Sequence, residues 1–184
     1  MSTFFGKRII PAAALALLLG TAAYAASVHL KPPNSKPSFT DNGLTLSASA
    51  ALAGLGNEDL SILLSATANP TATCTNPSGK NQPPGQHPAP VTVTGSTSIP
   101  ASQIKNGTVA FTVTTNPPTP NPIPNAPDCP GSSWTEAIID MSFTSASITV
   151  QQPAPTVVLT VSCVFSPATT DGPVPSGTVS CTSP

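Results

Sequence analysis

Leu44-Thr45-Leu46-Ser47-Ala48-Ser49-Ala50-Ala51-Leu52 and Leu60-Ser61-Ile62-Leu63-Leu64-Ser65-Ala66-Thr67-Ala68 decide the fold class. In both, apolar residues return at every second position, with Ser, Thr or Ala between most of them. A strand turns successive side chains to opposite faces, so a period of two gives each segment one face for a core. Gly54-Leu55-Gly56-Asn57 lies between them and reads as a turn, so the two are expected to pair as a hairpin.

The same reading extends along the chain. Val91-Thr92-Val93-Thr94 and Val109-Ala110-Phe111-Thr112-Val113-Thr114 are short alternating runs. Residues 137–150 are too long for one undisturbed strand. Their apolar face starts with Ile139, Met141 and Phe143 and moves to Ala146, Ile148 and Val150, as a β-bulge or a change of sheet would produce. Val157 to Cys163 and Gly177 to Cys181 complete the set. About eight one-face-apolar strands with frequent turn signals predict an all-β chain, an antiparallel immunoglobulin-like β-sandwich. The antibody-type Cys…Trp…Cys spacing is missing, because Trp134 comes far too late after Cys74.

Two segments, 76–90 and 116–130, are dense in proline. Proline fixes φ and removes a ladder donor, so both are expected to be long loops, stiff and extended in the polyproline II manner. Asn106-Gly107 precedes the Val109 run and reads as a tight turn, although Asn106-Gly107-Thr108 also matches a glycosylation sequon.

The start of the chain supplies an address. Lys7-Arg8 is followed by an apolar run over 9–19 and by Ala23-Tyr24-Ala25, an A-x-A cleavage pattern. Residues 1–25 therefore read as a secretory signal peptide, and 26–184 as a single domain. No second apolar span of membrane length follows, so no membrane span is expected after cleavage and a secreted protein is. All four cysteines, Cys74, Cys129, Cys163 and Cys181, lie beyond the signal, and an even count in an exported chain favours two disulfides. Four cysteines allow three connectivities. The Val157 and Gly177 strands read as an antiparallel pair with a cysteine at the end of each, which favours Cys163–Cys181 and leaves Cys74–Cys129 to tie the two proline-rich segments. No Cys-x-x-Cys pair is present, which argues against structural zinc.

Charge excludes whole classes of function. Six of 184 residues are basic, and beyond the signal only Lys31, Lys36, Lys80 and Lys105 remain, with no arginine. A nucleic-acid binder neutralises phosphates with clustered Lys and Arg, which this chain lacks. Disorder pairs low hydrophobicity with high net charge, whereas here 39% of residues are hydrophobic and the formal net charge is −1.

Few residues offer chemistry. The two histidines are His29 and His87. His87 sits in Gln86-His87-Pro88 with no nucleophile pattern near it and reads as a solvated loop residue. A signal cut after Ala26 would start the chain Ser27-Val28-His29, whose terminal amine, two amides and imidazole chelate Cu(II) in a square plane; the cut after Ala25 breaks that set. His29 is thus the candidate metal residue, and no cofactor is expected. Glu136 and Asp140 are the pair a glycosidase would draw on. Trp134 follows Gly131-Ser132-Ser133 and is the candidate for stacking on a sugar, with packing at the rim of the core as the plainer role.

In its Ala, Thr, Ser and Pro-rich composition behind a signal, the whole chain resembles small secreted bacterial β-sandwich proteins of unknown function. That resemblance implies a fold and a compartment and carries no site residues. The expectation is a secreted, non-catalytic module with a structural or surface-binding role and an extracellular partner. A carbohydrate-binding or carbohydrate-active protein, with a glycan as partner, and a copper binder are the alternatives.

Overall fold

The computed structural model describes residues 28–32, 36–81 and 88–183. The signal segment, its cut and His87 lie outside them. Among the described residues there is no α-helix, and ten strands are present: β1 (His29–Leu30), β2 (Ser38–Asp41), β3 (Leu46–Ala53), β4 (Leu60–Thr75), β5 (Val91–Ile99), β6 (Val109–Thr114), β7 (Thr135–Gln151), β8 (Val157–Phe165), β9 (Gly172–Pro173) and β10 (Val179–Thr182). Every expected segment contains a strand, although Gly177 and Thr178 of the last one lie in a 3-10 turn and its strand starts at Val179. The seven segments quoted from the sequence become ten strands with β1, β2 and β9, which are too short to show a period.

The strands form two antiparallel five-stranded sheets. In the first, β6 takes one edge of β3 over residues 47–52, so β1 and β2 must share the other. β9 then pairs with β2. The second sheet runs β10-β8-β7-β4-β5. The inward positions of β3 (Leu46, Ala48, Leu52) and of β4 (Leu60, Ile62, Leu64, Ala66, Ala68) are almost completely buried. At about 1.5–3 kcal/mol for each large aliphatic side chain, this shared interior is what holds the sheets together. Phe39 of β2 meets Phe165 of β8 edge to face, with ring centroids 5.0 Å apart, and joins the sheets at one side.

The expected hairpin between the first two segments does not form. β3 and β4 belong to different sheets, and residues 54–59 carry the chain across. Alternation could not separate the cases, since both strands present an apolar face to the same core. Tertiary bonds decide it. Leu55 N–H donates to Gly107 O, while the buried Gln152 side chain accepts from Gly56 N–H and donates to the Gly56 and Glu58 carbonyls. These bonds pin the connection to the turn before β6 and to the end of β7.

β7 remains in one sheet and absorbs two bulges. Its pairing with β4 skips Thr144 and again Ile139, so the buried set runs Ile138, then Met141 and Phe143, then Ala146, Ile148 and Val150. The shift after Phe143 follows the sequence pattern. Ile139, expected inside, is 51% exposed at the second bulge.

β4 and β7 extend beyond their neighbours as a two-stranded ribbon, because β5 begins opposite Ala68 and the pairing of β8 ends opposite Ser145. Pro70 is tolerated in β4 because only β7 pairs with the strand there, and the two register shifts bracket it. The far edge of β7 is completed piecemeal. Ile123 N–H bonds Glu136 O, the Asn121 amide bonds both backbone groups of Ile138, Met141 N–H reaches Gly43 O, and Thr169 bonds Phe143. Residues 116–130, expected to be extended, instead fold back in turns, with bonds from Ala126 to Ile123 and from Cys129 to Ala126. Polyproline II has no internal hydrogen bonds. Covering the ribbon outweighs the extended preference of isolated prolines.

Both disulfides have the favoured connectivity. Cys163 and Cys181 are opposed in register with Cα atoms 4.1 Å apart, near the spacing of a non-hydrogen-bonded antiparallel pair. Cys74 on the ribbon joins Cys129 in the covering segment, with Cα atoms 5.6 Å apart. Two disulfides indicate an oxidising environment.

Candidate functional site

A groove of about 740 Å³ opens between the sheets where β1 breaks off and β2 begins. Ala50 and Phe111, paired across β3 and β6, lie against it, with Phe39, Val174 and Val179 around them. The space exists for a sequence reason. The inward positions of β3 narrow from Leu46 to Ala48 and Ala50, so the sheet offers only methyl groups where a larger side chain would fill the gap. Opposite, β10 starts only at Val179, after a 3-10 turn over Ser176–Thr178.

The mouth carries Lys31-Pro32 and Lys36-Pro37, two Lys-Pro steps five positions apart. Both lysines are exposed, and they are the charged residues of the lining. The Lys36 ammonium donates to Val179 O at 3.3 Å, leaving two donors. Sequence reasoning missed this groove. The repeated Lys-Pro in a chain so poor in cations was the available signal.

The sequence candidates lie elsewhere. Trp134 is half-buried at the start of β7, where its ring packs beside Gly131, and it does not line the groove. His29 is on β1, paired with Ala53. Lys31 N–H donates to Ala51 O, and antiparallel alternation makes His29 a hydrogen-bonded position two residues away, which engages an amide that a copper chelate would need. Among the described residues, no group of three or more His, Cys, Asp or Glu could hold a metal ion.

Glu136 and Asp140 are on one strand but in different surroundings. Glu136 is fully buried, accepts from Asp128 N–H through Oε2, and has no partner at Oε1. Asp140 faces the turn at Gly43, near Asp171. Asp41, at the start of the Asp41-Asn42-Gly43 turn, is buried there. It accepts from Gly43 N–H and from the Thr169 hydroxyl, which itself accepts from Phe143 N–H. Burial raises the Asp41 pKa, the two hydrogen bonds counter it, and Asp171 and Asp140 add to the rise. The arrangement fastens the β2–β3 turn to β7. Asn106 and Gly107 both have positive φ, and Lys105 and Thr108 exchange backbone bonds around them, so the Asn-Gly step is a tight hairpin turn.

In comparisons with known proteins, no family model, no curated protein and no solved structure matches this chain.

Proposed function

We propose that this chain is an exported, non-catalytic binding module of immunoglobulin-like sandwich type that holds an apolar ligand or partner segment between its sheets. The groove carries the reading: an opening of about 740 Å³ is within the range of small-molecule sites, and Ala50, Phe39 and Phe111 give it an apolar lining. Export is supported by the signal-like start and the two disulfides. The immunoglobulin-like type is supported by a chain that changes sheet between β3 and β4, β5 and β6, and β6 and β7. Glu136 and Asp140, placed apart, lend no support to hydrolytic chemistry.

Nile red, a neutral apolar dye, tests the reading. It should bind the native protein at one saturable site. Ala50→Leu, which places a larger side chain in the groove, should abolish that binding while the native near-ultraviolet circular dichroism persists. Unchanged binding in Ala50→Leu would remove the groove from consideration.

A further inference from the structure

We infer that the occupant of this groove is a free apolar monoanion, an aliphatic carboxylic acid whose chain enters between the sheets and whose carboxylate meets Lys31 and Lys36. The inference rests on the groove reading above and adds the ligand's charge and class.

The argument is one of complementarity. The chain has four lysines beyond Arg8, and two of them stand at this mouth. The lining contains no Asp or Glu, in a chain whose acids outnumber its bases. Behind the lysines the lining is Pro, Phe, Ala and Val, with Ser38, Ser49, Thr112 and Ser176 among them. A cationic or dicarboxylic-acid-rich partner mismatches one end or the other. A phosphate would call for the forked donors of arginine or a nest of backbone N–H groups, and among the described residues the mouth presents no arginine and no α-helix N-terminus. A sugar would use an exposed aromatic face, but Phe39 and Phe111 are 3% and 5% exposed. One carboxylate on an apolar body satisfies both parts of the site. It takes donors from two flexible ammonium groups and leaves the groove's interior to the chain. The Lys36 bond to Val179 O holds that ammonium over the opening.

Titration calorimetry of the purified protein at pH 8 with decanoate and with decanol separates the ideas. Two exposed ion pairs contribute modestly, so decanoate should bind about tenfold more tightly than decanol. The preference should shrink in high salt, because exposed pairs are screened. In a Lys31→Gln, Lys36→Gln double variant, decanoate should fall to the affinity of decanol, with decanol unchanged. Ala50→Leu should lose both. Equal binding of acid and alcohol, or a preference that survives in the double variant, overturns the inference and leaves the groove reading standing. Absence of both ligands with Nile red still bound does the same. Absence of all three overturns the groove reading itself. The double variant alters only exposed side chains, so the test does not depend on Ala50→Leu folding.

Discussion

Replacing Gly95 with alanine should break the seam between the two sheets. Gly95 lies in β5, the edge strand of the second sheet, opposite Leu64 of β4. Against it runs the end of β6, from the first sheet. A methyl group at Gly95 would overlap the Thr114 carbonyl oxygen and lie 2.8 Å from both Thr114 C and Thr115 Cα. All three are backbone atoms with no rotamer to change, so the end of β6 must move as a unit. The bonds that fix it are Asn116 N–H to Thr94 O at 2.9 Å, the Asn116 amide to the same oxygen at 3.1 Å, and Thr115 N–H to Leu46 O at 3.0 Å. Overpacking costs about 1–3 kcal/mol. Loss of the two bonds to Thr94 adds about 1 kcal/mol each. The sum, about 3–5 kcal/mol, is a large share of a typical stability of about 5–15 kcal/mol. The assay is guanidinium unfolding followed by circular dichroism with both disulfides intact. Gly177→Ala is the control, since nothing lies within 4 Å of its added methyl group, and its stability should hold or rise by up to about 1 kcal/mol. A Gly95→Ala protein within about 0.5 kcal/mol of the parent would refute this account of the seam.

Asp41 sets a pH dependence. Its pKa is raised above the ordinary 3.8, so the folded state holds the proton more tightly than the unfolded chain. The associated stability is complete below the ordinary value and is lost as pH rises through the folded value. Asp41→Asn should remove that decline, gaining on the parent between acid and neutral pH; parallel stability curves for the two proteins would contradict it. Of the disulfides, Cys74–Cys129 spans 55 positions and Cys163–Cys181 spans 18. On the chain-entropy model their removal costs about 4 and about 3 kcal/mol respectively. Paired Cys→Ser variants compared by thermal unfolding check the order, and a greater loss at Cys163–Cys181 would show that closure entropy does not govern it.

Alternation revealed the long strands because each buries one face against a single interior, as Leu46, Ala48 and Leu52 do. It could not assign β3 and β4 to separate sheets, since inward-facing residues look alike from either side of a core. That assignment rests on Gln152, nearly a hundred positions from the connection it holds. β1, β2 and β9 escaped notice because two to four residues carry no period. The bulge after Phe143 was legible as a shift of apolar face. The bulge at Ile139 was not, because an isoleucine pointing to solvent imitates an inward one. The groove was hidden for a related reason. A cavity is a shortage of side chain, and Ala50 in an alternating strand reads as ordinary core.

The pairing of β2 with β9 has a kinetic meaning. Thr169 bonds Asp41 across 128 positions, and Gly172 pairs with the same Asp41. The earliest strands therefore wait for residues near the far end of the chain before their sheet is complete. β4 likewise waits for β7. Few native contacts are local, which places the protein among slow, high-contact-order folders that reach the native state in milliseconds to seconds. A partly made chain cannot close this architecture. The first sheet closes only once residues 172–173, near the far end, have joined β2.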